Sequence, residues 1–324
     1  MKPSRGGLLL AVASIAAILV IPPVCWATYP GANGRIAYSE GPIVDGDWQI
    51  FTISLSAGNP TQLTYKTDTA TQARQPSWSA DGRRIAFVRS DGTDNNWDVW
   101  TMRADGGHQR QVTHDRAFES SPSFSPGGGR IIMVRGFHRD QGAGNIVIVR
   151  TDGTERVRLT GGKEARGPAF SPDGRRIVFA GKPRKDRPSG IWVMRRDGTH
   201  RRLLANPAHD PAGNGDYEDP DFSPDGSHIV FSSCFDEGHQ CPTYNVLMRS
   251  TGRHKRVMEG GEEPTFSPDG TRIAASAVTC NTFENCSSRI VSYARNGTGH
   301  RAVTHPQAPN DWDRNPSWQP IPGG

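Results

Sequence analysis

Past its first 27 residues this 324-residue chain has no apolar run approaching the ~20 residues that a membrane-spanning helix needs, which leaves no candidate anchor there. It has no G-x-S-x-G, so a nucleophile elbow is excluded, and no H-E-x-x-H. Its cysteines number five, none in the C-x-x-C spacing of zinc sites. Aromatics make up 8% of the chain and candidate helices are few, which turns the reading away from helical folds. No basic stripe interleaved with aromatics marks a nucleic-acid surface, so no nucleic-acid partner is expected.

What the chain has in quantity is glycine, 37, and proline, 25, and they recur in one phrase. Pro-x-aromatic-Ser-Pro-Asp-Gly, a basic or polar pair and an apolar run begin at Pro76, Pro122, Pro168, Pro220 and Pro264. The first half returns alone at Pro316-Ser317-Trp318-Gln319-Pro320, and the second half stands alone at Asn33-Gly34-Arg35-Ile36-Ala37-Tyr38. Successive anchor prolines lie 46, 46, 52, 44 and 52 residues apart, a period that marks an array of one supersecondary unit. Within each unit Ser-Pro-Asp-Gly makes a tight turn between two strands, because Pro presets φ while Asp supplies an acceptor and Gly a positive φ. A third strand (Trp97 to Trp100, Ile146 to Val149, Ile191 to Met194) leads through a second Asp-Gly-type turn to a basic outer strand. The expected fold is therefore all-β: a six-bladed β-propeller of four-stranded antiparallel blades, the first blade closed by the C-terminal strand so that no edge stays open.

Lys2 and Arg5 precede an apolar run from Leu8 to Val20, and polar sequence begins at Thr28, the form of a signal peptide over 1–27. Residues 28–324 then form one propeller domain with no transmembrane anchor after cleavage, secreted or held in the periplasm or cell envelope. Loss of Lys2 and Arg5 takes the formal charge from +5 to +3. The remaining basic residues collect on outer strands, as at Arg156 and Arg158, Arg201 and Arg202, and Lys255 and Arg256. Cleavage also removes Cys25 and leaves Cys234, Cys241, Cys280 and Cys286, two close pairs that read as local disulfides in an oxidising compartment.

The repeated aromatic-Ser-Pro-Asp-Gly phrase resembles that of the TolB-like β-propeller family, from about Asn33 to Pro320. The resemblance implies a secreted binding scaffold, the propeller part without the N-terminal TolB domain. Short turns occupy one face and variable loops the other, where function sits on a rigid frame. The residue before each anchor proline should reach the central channel mouth: Gln75, Ser121, Gly167, Asp219, Glu263 and Asn315. Gln75, Asp219, Glu263, Asp311, Asp313 and Asn315 are the candidate ligand-binding residues. Asp210, Asn214, Asp216 and Glu218 are candidate oxygen ligands for Ca²⁺. Trp48 and Trp97 read either as residues that stack a ligand or as the first core residues of third strands. The expected function is noncatalytic binding of a protein or peptide, with a glycan as another ligand class. The alternative is a metal-dependent carbohydrate-active enzyme, polysaccharide lyase-like, using His114, His209 and His305.

Overall fold

The computed structural model describes residues 29–322 apart from 43–46, 56–57, 68–71, 91–95, 137–143, 163, 183–187, 208–214, 235–242, 283–284 and 307–310. The leader, Cys25, His209, Asp210, Asn214 and Cys241 lie outside the described residues. Among those described there is no α-helix, and no helix long and apolar enough to cross a membrane.

The strands come in short antiparallel runs. β1 (Ala32–Pro42), β2 (Gln49–Ile53) and β3 (Thr61–Gln62) pair in order, as do β4 (Ala73–Trp78), β5 (Arg84–Ser90), β6 (Trp97–Arg103) and β7 (Arg110–Gln111). The next unit is β8 (Phe118–Phe124), β9 (Arg130–Gly136), β10 (Gly144–Arg150) and β11 (Val157–Arg158), followed by β12 (Ala165–Phe170), β13 (Arg176–Gly181), β14 (Gly190–Arg195) and β15 (Arg202–Ala205). Then come β16 (Tyr217–Phe222), β17 (His228–Cys234), β18 (Thr243–Arg249) and β19 (Arg256–Glu259), and β20 (Glu262–Phe266), β21 (Arg272–Thr282), β22 (Asn285–Ala294) and β23 (Arg301–Ala302). The last strand, β24 (Asp311–Ile321), pairs antiparallel with β1 at the other end of the chain.

The turn after each first strand forms for the reason the sequence suggests. At Ser171, the Gly174 N–H donates to its carbonyl at 2.8 Å, its hydroxyl donates to Asp173 Oδ1 at 2.6 Å, and the Arg175 N–H donates to the same carboxylate at 3.0 Å. Alternation on the middle strands then sends side chains both ways. Ile131 and Met133 of β9 pack with Val88, Val99 and Phe124, while Ile132 packs with Phe170, Ile177 and Phe179 of the next unit. Sheets buried on both faces need this double-sided apolar character.

The unit begun by β24 and β1 touches units on both sides. Gln319 Nε2 donates to the Gly82 carbonyl at 2.9 Å, and the Trp78 N–H donates to Ser317 Oγ at 3.1 Å. On the other side Asn33 Nδ2 donates to Asp269 Oδ2 at 2.8 Å.

Cys280 and Cys286 form a disulfide with Cα atoms 4.0 Å apart. They face each other across the β21–β22 ladder, so the crosslink joins two paired strands of one hairpin. Cys234 ends β17, and its expected partner lies outside the described residues.

Candidate functional site

Every first strand carries an irregularity at its anchor proline. Arg74 faces Val88 and Ser77 faces Ala86, three residues against two, and the same slip occurs at Ser120/Ser123, Arg166/Ala169, Glu218/Asp221, Glu262/Thr265 and, on β24 against β1, across Arg314 and Ser317. Proline has no N–H for the ladder, so the extra residue bulges out there. The residue before each proline takes up the bend in a left-handed conformation: φ is 57° at Gln75, 50° at Ser121, 49° at Gly167, 49° at Asp219, 56° at Glu263 and 56° at Asn315. For the five with a Cβ this geometry costs about 1 kcal/mol or more each.

Hydrogen bonds within and between units hold these residues in place. The Ser121 N–H donates to Gln75 Oε1 at 2.7 Å and the Gln75 N–H to Ser39 Oγ at 2.9 Å. Ser39 Oγ donates to Asn315 Oδ1 at 3.4 Å, and the Asn315 N–H donates to Glu263 Oε2 at 2.6 Å. Glu263 Oε2 also accepts from Ser276 Oγ at 2.9 Å. Gly167 has no side chain because Asp219 fills the space: a Cβ there would lie 3.0 Å from Asp219 Oδ1.

Two cavities meet at this ring of residues. One, of about 220 Å³, runs along the anchor prolines and Ser77, Ser123, Asp221, Thr265 and Ser317. Tyr29 stands in it at the turn end, its hydroxyl donating to the Phe124 carbonyl at 3.1 Å. The other, of about 370 Å³, lies on the far side of Gln75, Ser121, Gly167, Asp219 and Glu263. Its wall holds the carboxylates of Asp216, Glu218, Asp219, Glu262 and Glu263 and the guanidiniums of Arg166 and Arg314.

This second cavity is electrostatically loaded. Arg166 Nη1 lies 3.0 Å from Glu218 Oε1, Arg314 Nη2 is 2.5 Å from Glu262 Oε2, and Arg314 Nε is 3.4 Å from Glu263 Oε1. Burial lowers Arg314, but Glu263, Glu262 and Asp219 outweigh it and hold its pKa above the usual value. Burial, with Glu218, Glu263 and Glu262 adding, lifts Asp219 well above the carboxylate range against the pull of Arg314. Burial likewise lifts Glu218 and Glu262 in spite of their arginines. Five carboxyl groups therefore crowd two guanidiniums in one recess, and an incoming positive group would be favoured because it relieves the burial and mutual repulsion that raise Asp219, Glu218 and Glu262.

Of the residues singled out from sequence, Gln75, Asp219, Glu263 and Asn315 come together at the ring. Asp313 is 2% exposed inside the sheet, where burial, countered by a Thr304 hydrogen bond and reinforced by Glu40 and Asp311, lifts it to about 7. Neither Asp311 nor Asp313 lines either cavity. Of the expected calcium ligands, Asp216 Oδ1 accepts from the Ser189 N–H at 2.5 Å and Glu218 is engaged by Arg166. Among the described residues no three His, Cys, Asp or Glu side chains are grouped as a metal site. His114 and His305 are exposed.

Sequence reasoning did not find Arg74, which lies against the rings of both Trp48 and Trp97, its Cζ 4.7 Å and 5.2 Å from their centroids. The two tryptophans are thus tied to a common cation, Trp48 buried and Trp97 half-buried. The signal was the position itself, since Arg74, Arg166 and Arg314 all stand two residues before an anchor proline.

Stacked four-strand units around a lined axial cavity define a β-propeller. The chain matches the TolB beta propeller domain over residues 42–212, and it belongs to that family. Among solved structures it is similar to TolB from Acinetobacter baumannii, at 17% identity and a TM-score of 0.70, covering 89% of this chain and 67% of that one. It is also similar to a chain of the nidogen/laminin complex, at 14% identity and 0.61, covering 89% and 99%, and to oligogalacturonate lyase in complex with manganese, at 15% and 0.55, covering 84% and 74%. At these identities the likeness is one of fold. No curated protein matches the chain.

Proposed function

We propose that this chain is an exported, noncatalytic binding propeller that takes a basic group of a protein or peptide ligand into the acidic cavity. In this reading the leader over 1–27 is removed and residues 28–324 form one domain of six blades, the first closed by the pairing of β24 with β1. The contacts of that unit with Gly82 on one side and Asp269 on the other support closure. The ligand is met outside the cytoplasm, in the envelope or beyond it.

The observation that carries the reading is the placement of Asp219 and Glu263. Both sit in left-handed backbone at the junction of the two cavities, and Glu263 is held there by a neighbouring strand's N–H. That backbone is shared by all six equivalent positions, so what sets these two apart is the carboxyl group that each carries to the acidic cavity. A propeller of similar fold takes part in the nidogen/laminin complex, which supports a protein ligand. The lyase-like alternative shares its fold with oligogalacturonate lyase, but a polyuronate would bring further negative charge to five carboxylates. Calcium would suit the same oxygens, so it enters the test as a competitor.

The test is selection of a random peptide library on the chain from Thr28, with calcium or with chelator, against a Glu263→Gln, Asp219→Asn control. Peptides rich in Lys or Arg, retained by the first and weakened tenfold or more on the control, are expected. Selection without a basic preference, or equal retention by both, would sink the reading.

A further inference from the structure

Three arginines occupy equivalent positions, two residues before an anchor proline, and two of them are neutralised. Arg166 meets Glu218 and Arg314 meets Glu262 and Glu263. Among the described residues Arg74 meets no carboxylate. Its Nη2 donates to Gln72 Oε1 at 2.6 Å, its Nε is buried with no hydrogen-bond partner, and the charge that acts on it is the like charge of Arg314. Burial, with Arg314 adding, pulls its pKa down to about 10. A desolvated cation without a counter-charge is destabilising, and a planar guanidinium carries five donors, of which one is used among the described residues.

The surroundings decide what those donors can do. The rings of Trp48 and Trp97 both lie against the guanidinium, whose N–H groups point outward in its own plane. An edge of parallel N–H donors fits a carboxylate through two hydrogen bonds. Arg74 adjoins Gln75, which lines the acidic cavity, and lies close enough to Arg314, which also lines it, to feel its charge.

We propose that the Trp48–Arg74–Trp97 stack is a carboxylate-binding site at the edge of the acidic cavity, and that it takes an acidic side chain or C-terminus of the same peptide ligand. The inference rests on the reading above and narrows it. The ligand carries both signs, a basic group in the recess and a carboxylate on Arg74. Opposed charges on one short chain are ordinary in peptides, whereas a polyuronate offers only the second.

The two tryptophans against Arg74 provide a direct readout. The intact chain from Thr28 is titrated to about 100 mM at constant ionic strength with N-acetylglutamate amide, its glutamine counterpart, galacturonate and inorganic phosphate. The variants are Arg74→Met and Arg74→Lys, the second keeping the charge and losing the planar fork. The glutamate compound is expected to give a saturable change in tryptophan fluorescence that the glutamine compound does not. Its affinity should fall tenfold or more in Arg74→Met and severalfold in Arg74→Lys, and the ligand-free Arg74→Met protein should melt higher than wild type.

Equal titrations in all three proteins, no saturable signal from any probe, or a lower melting temperature in Arg74→Met with titration unchanged would overturn the proposal and leave Arg74 as a packing element. Saturation by galacturonate or phosphate but not by the glutamate compound would overturn the peptide assignment. These titrations do not involve Glu263, so a library that shows no basic preference while the glutamate titration holds would fail the broader reading and spare this one.

Discussion

Changing Glu119 to Gln should make the protein more stable in alkali and leave it nearly unchanged in acid. Glu119 is fully buried. Its Oε2 accepts from the Thr113 hydroxyl and from the Val99 N–H at 3.3 Å, while Oε1 is buried with no partner. Burial, opposed by the Thr113 hydrogen bond and by Arg156 but reinforced by Asp115 and Asp98, lifts its pKa from 4.5 to about 7. Between those values the folded chain holds a proton that the unfolded chain has released. The stabilising effect of that proton is complete below about pH 4.5 and is lost as pH rises through 7. At about 1.4 kcal/mol per pH unit, over about 2.5 units, the loss is roughly 3 kcal/mol. A glutamine is neutral throughout and recovers most of it. Urea unfolding followed by tryptophan fluorescence at pH 4.5 and pH 8.5 gives the comparison, with a gain of roughly 3 kcal/mol expected at the higher pH, or a Tm increase of about 6 °C. An equal difference at both pH values, or a less stable Glu119→Gln at pH 8.5, would refute the argument.

Two further substitutions probe the ring and the crosslink. Gly167→Ala places a Cβ 3.0 Å from Asp219 Oδ1 and 3.2 Å from Asp219 Cα at a φ of 49°. A loss of about 1 kcal/mol and weaker retention of basic peptides are expected in thermal unfolding and binding assays; an unchanged protein would mean that Asp219 is not held by this contact. Cys280→Ser should keep the fold and lose at most about 2 kcal/mol, because the β21–β22 ladder already sets Cys280 opposite Cys286. Collapse of the whole domain on reduction or substitution would show that the hairpin depends on the crosslink.

The repeat made the strands and turns legible because each is set locally. Ser-Pro-Asp-Gly dictates its own turn, and alternation of Ile131, Ile132 and Met133 dictates which unit each side chain meets. The candidate site was legible in part. Gln75, Asp219, Glu263 and Asn315 could be placed from their spacing to proline, but their left-handed backbone could not, since it follows from a proline interrupting a ladder whose partner strand must be known. Asp313 is a candidate ligand-binding residue by sequence, whereas strand alternation places it two residues from Asn315 and inside the sheet, at the position Glu119 holds relative to Ser121. The Arg74 cluster joins residues 48, 74 and 97 across two units, a contact that no local pattern encodes.

A repeat protein is its own control for separating structure from function. Where the fold needs a feature, every unit supplies it: the anchor proline, the aromatic that follows two residues later, and the left-handed residue before it recur whatever else changes. The left-handed position tolerates Gln, Ser, Gly, Asp, Glu and Asn, so the fold demands its backbone and not its side chain. The position before it runs Arg74, Ser120, Arg166, Glu218, Glu262 and Arg314, and folding equally well with either charge or none shows that packing does not choose among them. Packing also gives no reason for the acids to gather in two adjacent units, or for one arginine, against two tryptophans, to meet no carboxylate among the described residues. Charge that varies where the backbone is constant is free to be set by a ligand, and here it is divided into an acidic recess and a single unneutralised cation at its edge.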